Sequence, residues 1–320
     1  MRCFFNVFFV VLTFSVFAQK ANFDVKSYQL DLSIDIENQS ISGSNYISFN
    51  SLQTIDSLVL YLSANFVIHK ISEGEEELKF NFQDGLITIY LLDQVPINRI
   101  SSIKIFYSGK PQEAKNPPWD GGFVWETDSL NRPWIGVSCE GIGASTWWPT
   151  TNDISDKADV VNINVTIPKT EDSLQVVCNG ELKNILHHQD SVTYQWGVSY
   201  PITNYNVTLN IGVFEQFQTK YSSQSGLSFP LDYYVLDYHI KQAKKHFRQV
   251  PKVLNVFEEM YGNYSFPNDG YALVGTSYWG MEHQGAISYG NHFKNDVLGF
   301  DFIILHESAH EYWGNAVGIN

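Results

Sequence analysis

Residues 300–320 read FDFIILHESAHEYWGNAVGIN, and this stretch decides how the rest of the chain is interpreted. The pattern HExxH places His306 and His310 one helical turn apart on one face, with Glu307 beside them. Two imidazoles at this spacing suit a zinc ion, and the glutamate is placed to act as general base toward a water molecule. Such a pattern also occurs by chance on helices. The apolar residues 302–305 favour the zinc interpretation, because they indicate a buried helix in which unpaired His and Glu would be costly.

A second stretch, YWGMEHQGAISYG at 278–290, carries a carboxylate that could serve the same site. Gly280 allows the backbone of a substrate to approach closely, and Glu282 is predicted to point inward from a strand. A carboxylate in this position would bind the free amino terminus of a peptide. Taken alone, Glu282 could equally be a surface residue.

The order of patterns along the chain predicts two domains. From residue 23 to about 217, short alternating segments rich in β-branched and aromatic residues predict antiparallel strands, with a Pro/Gly-rich loop and hairpin at 109–133. Later segments predict helices around Pro251, further strands, and a final helix from about Gly299 to Val317. The predicted fold is therefore an all-β domain at 19–217, followed by the start of an α+β domain at 218–320.

The net charge and the first 18 residues indicate which partners and which compartment to expect. The chain has 320 residues, a net charge of −14 and a pI near 5.0, so a phosphate backbone would be repelled and we expect no nucleic acid partner. Residues 1–18 have Arg2, an apolar run and small residues near Ala18, which predict a secretory signal peptide and a secreted or periplasmic protein. An uncleaved anchor is the alternative, but the run is short for a membrane span. We expect no membrane span after cleavage, and nothing in the sequence indicates an oligomeric state.

Together, GMEH and HESAHEYWGN resemble the membrane alanyl aminopeptidase family (peptidase family M1, aminopeptidase N-like), a group of gluzincins with signatures GxMEN and HExxH followed by a distant Glu. The segment VSCEGIGASTWWPTTNDISDKADVVNINVTIP at 137–168 is also similar to a substrate-binding strand and loop of that family. The resemblance implies a saddle-like amino-terminal domain of β-sheets and then a thermolysin-like metallopeptidase domain. It also implies a Zn²⁺ cofactor and peptide substrates with a free amino terminus.

Residue by residue, the resemblance makes Glu282 the partner of the substrate's α-ammonium group, and Glu140 matches a second amine-binding position. Gly280 and Met281 would line the substrate backbone. Two positions depart from the family pattern, because His283 stands where Asn is usual and Ser138 where Gln is common.

The same resemblance makes His306 and His310 the zinc ligands and Glu307 the general base. The family's third ligand is a Glu further along, which would fall beyond Asn320, and its transition-state-stabilising Tyr lies later still. We therefore expect this sequence to be an amino-terminal fragment, or a truncated gene product, of a secreted zinc aminopeptidase that lacks the third zinc ligand.

Two other functions remain open at this point. The chain could be a non-catalytic secreted protein whose β domain binds peptides or proteins and whose peptidase region is a remnant. It could also be a gluzincin endopeptidase, which is disfavoured because Glu282 and Glu140 would block an extended substrate on its amino-terminal side.

Overall fold

The computed structural model describes residues 22–140 and 143–318. The predicted signal peptide at 1–18 and the predicted mature start at Gln19 lie outside these residues. Within the part of the chain that the structure describes, no helix is long and apolar enough to cross a bilayer.

The first region is built from strands. In chain order they are β1 Phe23–Asp35, β2 Ser40–Ser51, β3 Ile55–Tyr61, β4 Phe66–Glu73, β5 Glu76–Glu77, β6 Lys79–Gln83, β7 Leu86–Val95, β8 Ile100–Gly109, β9 Gly122–Thr127, β10 Pro133–Ser138, β11 Lys157–Ala158, β12 Val160–Pro168, β13 Gln175–Cys178, β14 Glu181–His187, β15 Ser191–Val198, β16 Ile202–Thr203 and β17 Leu209–Gly212. Short 3₁₀ turns occupy Ala144–Thr146 and Asn204–Asn206.

Eight of these strands join one large sheet with the order β14-β15-β12-β1-β2-β8-β4-β5. Leu30, Leu32 and Ile34 of β1 are buried while the residues between them are more exposed, which is the period-two pattern that the sequence predicts. The pairing of β1 with β12 is parallel, a departure from the predicted antiparallel arrangement. Smaller sheets have the orders β3-β7-β6, β13-β17-β10-β9 and β11-β16. The predicted all-β first region is confirmed.

The second region combines a five-stranded sheet with helices. Its elements are β18 Phe214–Ser222, β19 Ser228–Leu236, α1 Ile240–His246, α2 Val250–Tyr261, β20 Tyr271–Gly275, β21 Gly280–Met281, β22 Ala286–Tyr289, α3 Phe302–His310, β23 Trp313–Gly314 and β24 Val317–Gly318, with 3₁₀ turns at Asp237–His239 and Phe247–Gln249. The sheet order is β18-β19-β20-β22-β21, and β20 runs parallel to both of its neighbours. Pro251 lies in the first turn of α2, where a missing N–H is tolerated, so it marks the join between two helices.

Both faces of the five-stranded sheet are buried, each against a different core. On β19, Tyr233 and Val235 pack with the helices, whereas Tyr234 and Leu236 pack with the large β-sheet core. Successive side chains of a strand point to opposite faces, so one strand contributes to both cores. The predicted domain boundary after Phe217 falls inside β18, and the division at that residue stays a prediction.

One finer expectation, the extent of the final helix, can be compared with the structure. The predicted final helix was too long: α3 ends at His310, because the chain turns there and Gly314 adopts φ 129°, which a helix cannot contain. Cys139 and Cys178 are both buried and free, so they are isolated core residues and not a disulfide.

Candidate metal and peptide site

Helix α3 carries the HExxH residues, and Asp301 fixes where it begins. One carboxylate oxygen of Asp301 accepts hydrogen bonds from the backbone N–H groups of Ile303 at 2.9 Å and Ile304 at 3.3 Å. Those two N–H groups have no partner within the helix, so the side chain caps the first turn. Both isoleucines are buried, which anchors the helix against the second core.

Asp301 is itself held by three side chains from other elements. It accepts hydrogen bonds from His246 at 2.7 Å, Tyr289 at 2.6 Å and Asn291 at 2.8 Å, and it is fully buried. Burial alone would raise the pKa of this carboxyl, but these hydrogen bonds outweigh it and hold the pKa below its usual range. The start of α3 is therefore fixed by an ionised, fully bonded carboxylate.

The two histidines of α3 face each other across one helical turn. The Nε2 atoms of His306 and His310 are 3.3 Å apart, and the Nδ1 atom of His310 lies 3.1 Å from the backbone oxygen of Trp313. If that Nδ1 carries the proton, its Nε2 lone pair is free for a metal. Two nitrogens bound tetrahedrally to zinc at about 2.0–2.1 Å lie about 3.3–3.4 Å apart, so the observed pair fits this ion.

Glu307 lies beside the histidines and is almost fully buried. Its carboxylate and the two imidazoles offer ligand atoms that lie within 4.8 Å of one another, and its Oε2 atom has no hydrogen-bond partner. Burial raises the pKa of Glu307 to about 9, with further contributions from Glu282 and Glu140. A divalent cation suits this set of nitrogen and oxygen donors and would compensate the concentrated negative charge.

The predicted amine-binding residue Glu282 follows directly after β21 and is 8% exposed. The hydroxyl of Tyr205 donates to its carboxylate at 3.4 Å. The side-chain amide of Asn315 donates to its backbone carbonyl at 2.9 Å, and Asn206 donates in turn to Asn315 at 2.6 Å. Glu282 is thus connected both to the first region and to the turn that follows α3.

Glu140 follows β10 and is exposed. Partial burial raises the pKa of Glu140, the charge of Glu282 raises it further, and His310 lowers it. Gly280 lies against Glu307, and the Met281 side chain is buried in the large core, so Met281 can face a substrate only through its backbone. His306, Glu307 and His310 therefore lie together with Gly280, and the charges of Glu282 and Glu140 affect the pKa of Glu307.

The two positions that depart from the family pattern both serve packing. His283 is fully buried, its Nδ1 lies 3.1 Å from the Ser288 hydroxyl, and burial lowers its pKa to about 3, so the ring is neutral. The Ser138 hydroxyl donates to the backbone carbonyl of Pro118 at 2.8 Å and so holds the Pro/Gly-rich loop. Neither side chain makes a hydrogen bond to Glu282.

The carboxylate that follows HExxH directly in sequence, Glu311, accepts hydrogen bonds at both of its oxygens. One oxygen accepts from the backbone N–H of Gly285 at 2.9 Å, and the other accepts from the hydroxyl of Tyr264 at 3.1 Å. The residue is 1% exposed. Both oxygens therefore have structural partners, and Glu311 is not free to act as a third ligand beside the histidines.

Comparison with known proteins identifies the fold. The chain is similar to an M1 zinc metallopeptidase from Deinococcus radiodurans, a mutant bound to a Tyr-Ser-Ala substrate, with a TM-score of 0.77 and 16% identity over 94% of this chain and 66% of that one. The chain has the M1 metallopeptidase fold. A two-domain M1 zinc metallopeptidase mutant bound to L-tryptophan gives a TM-score of 0.75 at 16% identity, over 94% of this chain and 67% of that one. The resemblance to M1 enzymes that the sequence indicates is confirmed for the fold.

Sequence similarity to M1 enzymes is weaker. The chain is 24% identical to aminopeptidase N from Haemophilus influenzae over 153 residues, which are 44% of this chain and 17% of that protein. No family model matches the chain. The chain therefore spans only part of the M1 relatives that it matches.

Three residues of this M1 fold matter to the site but were not predicted from the sequence. Asp301 caps α3, Tyr205 contacts the Glu282 carboxylate, and Asn315 holds the Glu282 backbone. The sequence offered a clue to Asn315, because this residue ends the WGN triplet that follows HExxH. It offered no clue to Tyr205, since the partner Glu282 lies far away in the sequence.

Proposed function

We propose that this chain carries most of the active site of a zinc aminopeptidase, which removes amino-terminal residues from peptides. The observation that carries the proposal is the meeting of a closely spaced histidine pair, His306 and His310, with three carboxylates, Glu307, Glu282 and Glu140. Glu307 lies beside the histidines, and the charges of Glu282 and Glu140 contribute to its raised pKa. An aminopeptidase needs both a proton carrier and an anchor for a cationic amine.

Each group has a distinct task in this proposal. Zinc, when bound by His306 and His310, supplies a Lewis acid that polarises a carbonyl and lowers the pKa of a water molecule. Glu307 accepts a proton from the attacking water and returns it to the leaving nitrogen. Glu282 and Glu140 bind the ammonium group of the substrate and thereby set which peptide bond lies next to Glu307. Gly280 lets the substrate backbone lie close to the same carboxylate.

The two histidines do not complete a catalytic zinc site, which ordinarily has three protein ligands. Because Glu311 is bonded to Gly285 and Tyr264, we propose that the third ligand comes from residues beyond Asn320 in the complete protein. We also propose export through the signal at 1–18, and peptides with free amino termini as substrates.

The test is hydrolysis of alanyl-arylamide by the full-length gene product and by the 320-residue chain, each supplied with zinc. We expect the full-length protein to be active, to lose activity with a zinc chelator, and to reject the amino-terminally acetylated substrate. The 320-residue chain should show little turnover. Cleavage of free and acetylated substrates at equal rates would contradict the aminopeptidase proposal, and no hydrolysis by either form would favour the non-catalytic alternative.

A further inference from the structure

Three exposed aromatic side chains form a continuous surface beside the proposed metal site. Trp119, Trp279 and Phe302 are 56%, 47% and 44% exposed. The ring centroids of the two tryptophans are 6.3 Å apart, and those of Trp279 and Phe302 are 6.5 Å apart. We call these three residues the aromatic surface. Isolated exposed aromatics need no explanation, but a contiguous group beside a polar site indicates a binding surface.

The aromatic surface is held in place although it is exposed. The indole N–H of Trp279 donates to the side chain of Asn291 at 3.2 Å, and Asn291 is bonded to the helix cap Asp301. Trp119 follows Pro118, and the backbone carbonyl of Pro118 accepts a hydrogen bond from the buried Ser138 hydroxyl. Phe302 is part of α3. Aromatic rings fixed in this way bind an apolar group with little loss of conformational freedom.

The aromatic surface is continuous with the catalytic residues. The Phe302 ring stacks on the His306 ring, with centroids 5.2 Å apart and an interplanar angle of 26°. Trp279 directly precedes Gly280, which lies against Glu307. A group that contacts the aromatic surface would therefore also lie beside the bond that Glu307 serves.

The order of residues around β21 gives the direction of the peptide. Trp279 directly precedes β21, Gly280–Met281, and Glu282 directly follows it, so the two side chains lie on opposite sides of the residue that packs against Glu307. If the ammonium group lies at Glu282, the side chain near Trp279 belongs to the second or third residue.

We propose that the aromatic surface binds an aromatic or large apolar side chain of the peptide, on the carboxyl side of the bond that is cleaved. The inference rests on the proposed aminopeptidase function. It assigns Trp119, Trp279 and Phe302 as residues that determine specificity for the part of the peptide that becomes the new amino terminus.

A second copy of the chain fits this surface less well. Three aromatic side chains that are each about half exposed offer roughly 300 Å². A stable protein interface buries about 800 Å² on each partner. One or two peptide side chains match the available area.

The experiment measures binding of tripeptides by calorimetry, with zinc present, to the full-length protein. The peptides are Ala-Trp-Ala, Ala-Gly-Ala and Trp-Ala-Ala, each also in amino-terminally acetylated form, and activity is blocked by Glu307→Ala in every sample. Trp119→Ala and Trp279→Ala test two members of the surface from separate regions of the chain. Tyr90→Ala is the matched control, since Tyr90 is 52% exposed on β7.

We expect Ala-Trp-Ala to bind about tenfold tighter than Ala-Gly-Ala, a gain that aromatic contact and burial can supply. Either tryptophan substitution should reduce this ratio to about twofold or less, while Tyr90→Ala should preserve it. Equal binding of the two peptides, an unchanged ratio in both variants, or a gain confined to Trp-Ala-Ala would each overturn the inference. So would concentration-dependent dimers that disappear in Trp119→Ala.

The acetylated peptides separate this inference from the proposed function. If acetylation has no effect but the aromatic ratio persists, then the amine-binding role fails and the aromatic surface stands. If free amines are preferred without an aromatic ratio, the reverse holds.

Discussion

A Cβ atom at Gly280 would lie 2.4 Å from Oε1 of Glu307 and 3.0 Å from the side chain of Ile303. Gly280→Ala must therefore displace the Glu307 carboxylate, which is the freer of the two neighbours. We expect peptide hydrolysis by the full-length protein to fall about 100-fold, because a shift of about 1 Å in a catalytic group costs this much. Stability should fall by only about 1–3 kcal/mol.

Steady-state kinetics and urea unfolding of Gly280→Ala would check both expectations. Gly275→Ala is the matched control in β20, because its Cβ would meet the Tyr234 carbonyl at an ordinary 3.4 Å. Full activity of Gly280→Ala would show that Glu307 does not need its present position.

Substitutions of Glu282 and Glu307 should have different effects, the first on substrate recognition and the second on proton transfer. Glu282→Ala should reduce kcat/KM for free-amine peptides by about 30-fold to several thousand-fold, as loss of a charge-assisted contact worth about 2–5 kcal/mol predicts. It should also remove the preference for a free over an acetylated amino terminus. Glu307→Ala should abolish turnover and leave the bound zinc unchanged.

Kinetics with both peptide forms, together with the zinc content of each variant, would test these roles. Glu126→Ala serves as control, since Glu126 is exposed on β9. If Glu282→Ala kept its preference for free amines, Glu140 would become the main amine anchor.

Asn315→Ala should destabilise the protein and loosen Glu282. The substitution leaves the backbone carbonyl of Glu282 and one N–H of Asn206 without their partner in a fully buried place. We expect a loss of about 2–6 kcal/mol in the free energy of unfolding, at about 1–3 kcal/mol for each of the two unsatisfied groups. Urea unfolding measures it, with Asn38→Ala as the exposed control. A loss of unfolding free energy smaller than that of Asn38→Ala would contradict a stabilising role for the Asn315 hydrogen bonds.

Asp156 should make stability depend on pH. Burial raises the pKa of Asp156 to about 7, and Asp24 and Asp153 add to the shift, although the backbone N–H of Val25 opposes it. A carboxyl whose folded pKa lies above its unfolded value of about 3.9 destabilises the fold when it ionises. Stability should therefore fall as pH rises from about 4 to about 7, by at most about 4 kcal/mol.

Asp156→Asn should remove this dependence, so the variant should be more stable than wild type at pH 8 and similar at pH 4. Chemical unfolding at both values would measure the difference, and Asp172→Asn provides an exposed control. A variant less stable than wild type at pH 8 would mean that the ionised carboxylate is favourable here.

Local patterns in the sequence were sufficient for the strands, the paired helices and the spacing of His306 and His310. These features depend on residues a few positions apart, whose periodicity is visible directly. The end of α3 was missed because the apolar pattern continues past His310, whereas the backbone at Gly314 turns away. Turn geometry of this kind overrides periodicity.

The supports of the site could not be predicted in the same way. Asp301 meets His246 across 55 positions, and Asn315 meets Asn206 across 109. Each residue alone looks like an ordinary polar side chain of a loop or helix end. Only the folded chain brings the partners together.

The five-stranded sheet, with one face in each core, has a consequence for how the protein can be divided. A cut between β17 and β18 would expose Tyr234, Leu236, Ala272 and Val274, which now pack with the large core. The piece carrying HExxH would then present an apolar wall to water and would tend to aggregate. The second region therefore shares part of its interior with the β region, and we expect the two regions to fold as one unit.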